Sequence, residues 1–397
     1  MNAAFRRFAE ERYKINYWAS VQQDAARKNP DVSAGLIFKG LLHQASLGLD
    51  SLLRLDQMGR TQEMRKLLGS SRKIAAGSDT TVLRALAQWD MEPTREAAYS
   101  NHIRLKHQGL AKTTLSTGKK VLLAIMDGSS FGGFDFSVLA MAGGIAHVLD
   151  LEASPGRGHE LKTSRNLIKR AIGNLGKGFA THLLYDGLMA CKADFSRARR
   201  YWGLHLLVKT SEQSLEIIQS SKEVWSALSP RDLKKAGVET ISGVDAKKSV
   251  RYEVMAQSGI PWVGSALKFN VAWVKETHLK GKTKDQTFEF WVLTTDETLS
   301  AAELREIAHN RWSIENQQFK ETNEQVKSKR AYIKNKTVKE ALLRIWFLGM
   351  TLLKEFKAYL ETLPEWISWA VKKTKKLIAQ VILFGIPCEA PMNYSPP

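Results

Sequence analysis

Apolar positions along the chain follow two different rhythms, and the change comes near residue 116. Before it, Leu36, Leu41, Leu42, Leu47, Leu49, Leu52 and Leu53 recur at mixed helical spacings with polar residues between them, which predicts helices. Ser78-Asp79 precede Thr80–Leu86, a cap followed by a helix. Pro93 opens a further segment that carries Arg95, His102, Arg104, Lys106 and His107. Residues 1–115 therefore read as a helical N-terminal region. Short helices with basic ends suit a helix-turn-helix DNA reader; the competing reading is a helical bundle with a solvated basic face.

Residues 116–210 switch to short apolar runs bounded by glycine. Val121–Asp127 forms a first strand, Phe134–Met141 between Gly132-Gly133 and Gly143-Gly144 a second, and Ile145–Glu152 a third, in antiparallel succession. A loop from Ser154 to His159 leads into a helix from Glu160 to about Ala171. Phe179–Asp186 is a fourth strand, Asp194–Tyr201 a helix and Leu204–Lys209 a fifth strand. Three hairpin-linked strands followed by helix–strand–helix–strand resemble an RNase H-like domain. That resemblance implies that the first and fourth strands are neighbours, so that Asp127 and Asp186 converge.

Residues 211–298 interrupt the pattern. Val224–Val238 is helical or irregular, and Val250–Met255, Leu267–Lys275 and Thr287–Thr294 are strands, the last two around a basic turn at 278–284. The segment reads as a β-rich insertion. Ser300 caps a return to helix from Ala301 to about Gln325, so residues 299–335 complete the core with the helix that bears Glu315. Residues 336–397 form a helical C-terminal region, with helices over Val338–Leu360 and Pro364–Phe384. The expected class is α/β: an RNase H-like mixed sheet flanked by helices, with a β-rich insertion and helical N- and C-terminal regions.

Charge changes this picture by adding a partner. The 397 residues carry a formal charge of +19, a surplus that favours a polyanion, nucleic acid first and an anionic membrane surface second. The longest apolar stretch, near Ile345–Leu353, is too short to span a bilayer, and the basic residues are spread over several segments and not gathered on one, so no membrane partner is expected. Cys191 and Cys388 exclude a disulfide framework or a cysteine zinc cluster and fit a reducing cytosol. No P-loop is present, so a nucleotide cofactor is not expected.

Two strands ending in Asp-Gly, at Asp127 and Asp186, and Glu315 within Arg311-Trp312-Ser313-Ile314-Glu315-Asn316 make a possible carboxylate triad. Arg311 and Glu315 are four apart and share a helix face. Carboxylates are the ligands expected for Mg²⁺, and two such ions activate a water and stabilise a leaving oxygen in phosphodiester cleavage. Arg311 suits a DNA phosphate; Lys320 and Lys327 are further phosphate candidates, and His309 is either structural or DNA-facing. Asp135, Asp150 and Asp194 are competing acids, and His159 with Glu160 reads as a helix cap.

The segments Ala124–Gly128, Leu183–Gly187 and Arg311–Asn316 resemble the DDE transposases of bacterial insertion sequences, the cut-and-paste group with a β-strand insertion. In that family the third acid lies in Tyr-x2-Arg-x3-Glu-x6-Lys. Arg311 and Glu315 fit, whereas Ala308 stands at the Tyr position and Thr322 at the Lys position. The resemblance implies two Mg²⁺ ions (Mn²⁺ able to substitute) on Asp127, Asp186 and Glu315, cleavage at terminal inverted repeats, and strand transfer into target DNA. It also implies a homodimer on DNA in the bacterial cytoplasm, associated with the nucleoid. Trp262, Trp273 and Trp291 become candidates to hold a flipped base. The alternatives are an RNase H-like nuclease without strand transfer and an inactive, DNA-binding transposase remnant.

Overall fold

The computed structural model describes residues 2–23, 32–70, 77–156, 159–246, 248–281, 283–363 and Ile382. The expected helix over Pro364–Phe384 lies, apart from Ile382, outside the described residues.

Apart from a short ladder of Thr113–Thr114 with Lys120–Val121, the strands are β1 Leu123–Phe131, β2 Phe134–Ala142, β3 His147–Ala153, β4 His182–Tyr185, β5 His205–Thr210, β6 Glu239–Asp245, β7 Val250–Pro261, β8 Lys268–His278 and β9 Thr287–Thr294. They form one nine-stranded mixed sheet in the order β3-β2-β1-β4-β5-β9-β8-β7-β6. The pairs β1–β4 and β4–β5 are parallel and the others antiparallel. The half from β3 to β5 has the RNase H-like order, and helices cover both faces. At the β1–β2 hairpin Phe131 pairs with Phe134, and Gly132 and Gly133 both take positive φ, as a tight two-residue turn requires.

Strand alternation sorts the core into two layers. Leu123 and Ile125 of β1, Leu184 of β4 and Leu207 of β5 pack with the N-terminal helices and the long helix Lys336–Leu360. Ala124, Met126, Leu183 and Tyr185 face the other way, toward the helix Glu160–Leu175. The N-terminal helices are thus part of the main core. The helix Ala34–Leu47 crosses Lys336–Leu360 so closely that a Cβ on Gly349 would lie 2.2 Å from the Leu42 carbonyl oxygen.

Three features depart from the sequence reading. The β-rich segment is inserted only in sequence: β9 pairs with β5, Trp291 opposite Thr210 and Thr294 opposite Leu207, so β6–β9 extend the same sheet. Its edge strand β6 escaped notice because it is largely solvent-facing and carries only two large apolar residues, Ile241 and Val244. The helix expected from Ala301 to about Gln325 is broken into Ala301–His309, Arg311–Ile314, a wide π-helical turn Glu315–Lys320, and Glu321–Val326.

Two of the competing acids are structural. Asp150 is wholly buried and accepts from Arg344 of the long helix, Arg170 of Glu160–Leu175 and Tyr99 of the helix Met91–His107, with Arg95 at 3.5 Å. These cations outweigh burial and hold its carboxyl below the usual carboxylate range. Asp194 is bound by Arg165 and Arg197.

Candidate active site

Asp127 and Asp186 come to the same level of the sheet for a reason of register, although Asp127 lies inside β1, which runs on to Phe131 against β2, and does not end the strand as the sequence suggested. The parallel β1–β4 ladder pairs Leu123 with His182 and Ile125 with Leu184, and each aspartate lies two residues beyond that last pair. Both share the parity of Ile125 and Leu184, so both belong to the layer that also holds Ile314 and Phe319. Asp186 leaves its strand as the cap of a short turn, accepting from the Leu188 amide at 3.1 Å. Gly128, after Asp127, lies under the Glu160 carboxyl group, which a Cβ there would meet at 3.4 Å. The Glu160 carboxyl thus lies over the face of β1 opposite the Asp127 side chain, and His159 makes no side-chain cap bond.

The segment bearing Glu315 is anchored by Ile314 and Phe319, both buried; Phe319 meets Phe131 edge-on with ring centroids 5.3 Å apart. Residues five apart diverge by about 140° on an α-helix. The wide turn, with its i to i+5 bonding, draws them back toward one face. It also disturbs any count along the helix: Thr322, at the family's lysine position, is fully buried.

Arg311 joins two of the three acids. Its Nη1 lies 3.2 Å from Asp127 Oδ1 and 3.1 Å from Glu315 Oε1. Burial pushes the Asp127 carboxyl up to about 7; Arg311 opposes that rise, and Glu315 and Asp186 add to it. Glu315 and Asp186 thus act on Asp127 as like charges, with Arg311 between Asp127 and Glu315. Among the described residues, no three His, Cys, Asp or Glu side chains are already gathered as a metal would hold them. The donors are all carboxylate oxygens, which suits a hard divalent cation, and the raised Asp127 marks a place where such a cation would relieve repulsion.

Beside Asp186 opens a cleft of about 700 Å³, lined also by Leu188, Lys209, Phe288, Phe290, Arg311 and Trp312. Of the four expected DNA contacts, only Arg311 lines it. Lys320 is exposed, and Lys327 ends the helix Glu321–Val326 in left-handed backbone at φ 54°. His309 corrects the DNA-facing alternative: it is buried, with Nε2 2.7 Å from Glu276 Oε1, which also accepts from Arg305 Nε at 2.7 Å. Trp262 and Trp291 are core residues, and Trp291 stacks on Trp225. Trp273 lines a separate, smaller cleft. The aromatic rings open to the larger cleft are Phe288 and Trp312, both exposed.

Sequence reasoning missed Lys209. The signal was present: it follows Leu206-Leu207-Val208 at a position with the parity of buried Leu207, where a core strand would carry another apolar side chain. No family model and no curated protein matches this chain.

Proposed function

We propose that this protein is a DDE-type transposase that cuts DNA at the ends of its own element and joins the freed ends to target DNA. The observation that carries the reading is the arrangement of Asp127 and Asp186, each two residues beyond the last pair of the parallel β1–β4 ladder, with Arg311 spanning Asp127 and Glu315. Asp127, Asp186 and Glu315 would hold Mg²⁺, which when bound lowers the pKa of water and stabilises a departing oxygen. In the first step water adds to phosphorus and the 3′ oxygen leaves as a hydroxyl. In the second, that hydroxyl attacks a target phosphodiester and displaces another 3′ oxygen. The chain's own part is to orient the strand. Arg311, at the cleft wall, is suited to grip a phosphate, while Trp312 and Phe288 offer apolar faces to an unstacked nucleotide. The charge of +19 supports a polyanionic substrate. The active form in this reading is a homodimer holding two DNA ends in the bacterial cytoplasm.

The test is cleavage mapping on DNA carrying the gene's own flanks, with and without Mg²⁺. Discrete metal-dependent cuts at inverted repeats, with joined products, are expected. Asp127→Ala, Asp186→Ala and Glu315→Ala should each abolish cutting while DNA binding persists; wild-type rates from any one of them would remove that residue from the site. Cuts without joining would instead favour a nuclease, and binding without cuts an inactive remnant.

A further inference from the structure

Lys209 is the group near the site that the fold leaves least explained. It projects from the end of β5 into the layer of Asp127 and Asp186, and it lines the cleft beside Asp186 and Arg311. Its Nζ lies 4.0 Å from the centroid of the Phe290 ring and 4.1 Å from that of Trp312. Two aromatic faces thus clamp one ammonium, an attraction that strengthens as water is excluded. Among the described residues no carboxylate lies within ion-pair distance of Nζ; of the lining acids, Glu276 is engaged by Arg305 and His309, Glu289 by Trp273, Glu212 by Ser214 and Asp186 by the Leu188 amide. Burial first, and Arg311 second, lower its pKa to about 8.

A cation that is half-desolvated, aromatic-clamped and unpaired gains most from an anion that enters with a ligand. The neighbouring Arg311 makes the cleft a two-cation grip, and exposed Leu188, Phe288 and Trp312 give it an apolar rim. A carboxylate ligand would explain the cations alone; a nucleic-acid strand explains cations and flat apolar surfaces together.

We propose that Lys209, held between Trp312 and Phe290, binds a non-bridging phosphate oxygen of the DNA strand that occupies the cleft beside Asp186. The proposal rests on the transposase reading for the identity of that strand. Lys209 contributes binding and placement, and no proton transfer is assigned to it.

The test is site-resolved and independent of cutting. The full-length protein is briefly acylated with an amine-reactive ester, with and without a 20-nucleotide oligothymidylate, and each lysine's modification rate is read by mass spectrometry. The exposed Lys169 and Lys235 serve as references. Lys209 is expected to be protected at least about 5-fold more than either. Lys209→Met, which keeps the stem against the two rings, is expected to bind the oligonucleotide several-fold more weakly, with a log K against log salt slope shallower by about 0.7. Lys209→Arg should restore most of both. Protection no greater than at the reference lysines, or an unchanged slope in Lys209→Met, would overturn the proposal. If Lys209 is protected while the wild type cuts no flanking DNA, the transposase reading fails and the anchor stands. If the wild type cuts and joins while Lys209 is unprotected, the anchor alone fails.

Discussion

Asp127 gives the sharpest prediction, because its ionisation can be read without knowing the DNA substrate. Burial raises its carboxyl from an ordinary value near 3.8 to about 7, roughly three pH units at about 1.36 kcal/mol each. The folded state therefore holds a proton that the unfolded chain has already released. Stability must fall as pH rises through that interval, and the full penalty of about 4 kcal/mol is reached above pH 7. Asp127→Asn removes the penalty while keeping the shape of the side chain. Its advantage over the wild type should grow by about 2–3 kcal/mol between pH 5 and pH 8.5. The assay is urea unfolding of both proteins at matched pH, followed by tryptophan fluorescence. Every other titrating group is common to the pair, so the difference isolates Asp127 except where its loss alters Arg311 and Glu315. A divalent cation should erase much of the gap at pH 8.5, since it binds the folded wild type and has less to bind in the variant. An advantage that stays flat with pH would refute the argument, as would one largest at pH 5.

The same cluster makes a second prediction. Arg311 is the group that opposes the rise at Asp127, so Arg311→Ala should push that carboxyl higher and move the onset of Mn²⁺ binding, followed by electron paramagnetic resonance, up by about one pH unit or more; an onset that stays put or moves down would count against the contact. Glu276→Ala strips the acceptor from both Arg305 and His309, a buried-charge loss of about 3–5 kcal/mol in urea unfolding. The Glu276 carboxyl is held below its ordinary value, chiefly by His309 and Arg305 acting against burial, so its contribution should be present at neutral pH and disappear as pH falls through the folded value. Asp150→Ala removes the buried carboxylate shared by Arg344, Arg170 and Arg95, leaving Arg344 only Glu340, and should cost a similar amount; a loss under about 1 kcal/mol would show that the network is dispensable.

How much of this was legible depends on which residues carried local information. The central parallel strands are apolar on both faces, so Leu123–Met126 and His182–Tyr185 announce themselves as runs, and the Asp-Gly after each marks where the run stops. Arg311 and Glu315 were legible because four-residue spacing on a helix is a contact in itself. The N-terminal helices were legible as helices, but their partner was not: nothing in Leu36–Leu47 says that it crosses a helix three hundred residues away. Nor does an alternating strand name its neighbour, which is why β6–β9 read as an insertion although β9 closes on β5.

The less legible parts of the site all come from departures from regular periods. Ile314 and Phe319 are five apart, a spacing that an α-helical count treats as two faces and the wide turn at Glu315–Lys320 makes one. Beyond that turn the faces no longer follow an α-helical count from Glu315: Thr322 is interior while Lys320 is exposed. His309 was read from the basic character around it, yet its address is set by Glu276 on β8, a partner thirty-three residues upstream that no local pattern reveals. Lys209 was hidden by the opposite effect: as the last polar residue on an apolar run it looked like a strand end. Only the sheet shows that its ammonium lies between the rings of β9's Phe290 and the helix-borne Trp312. The carboxylates of this site could be found by spacing, but the cations that face them required the pairing of β5 with β9 and the turn of one irregular helix.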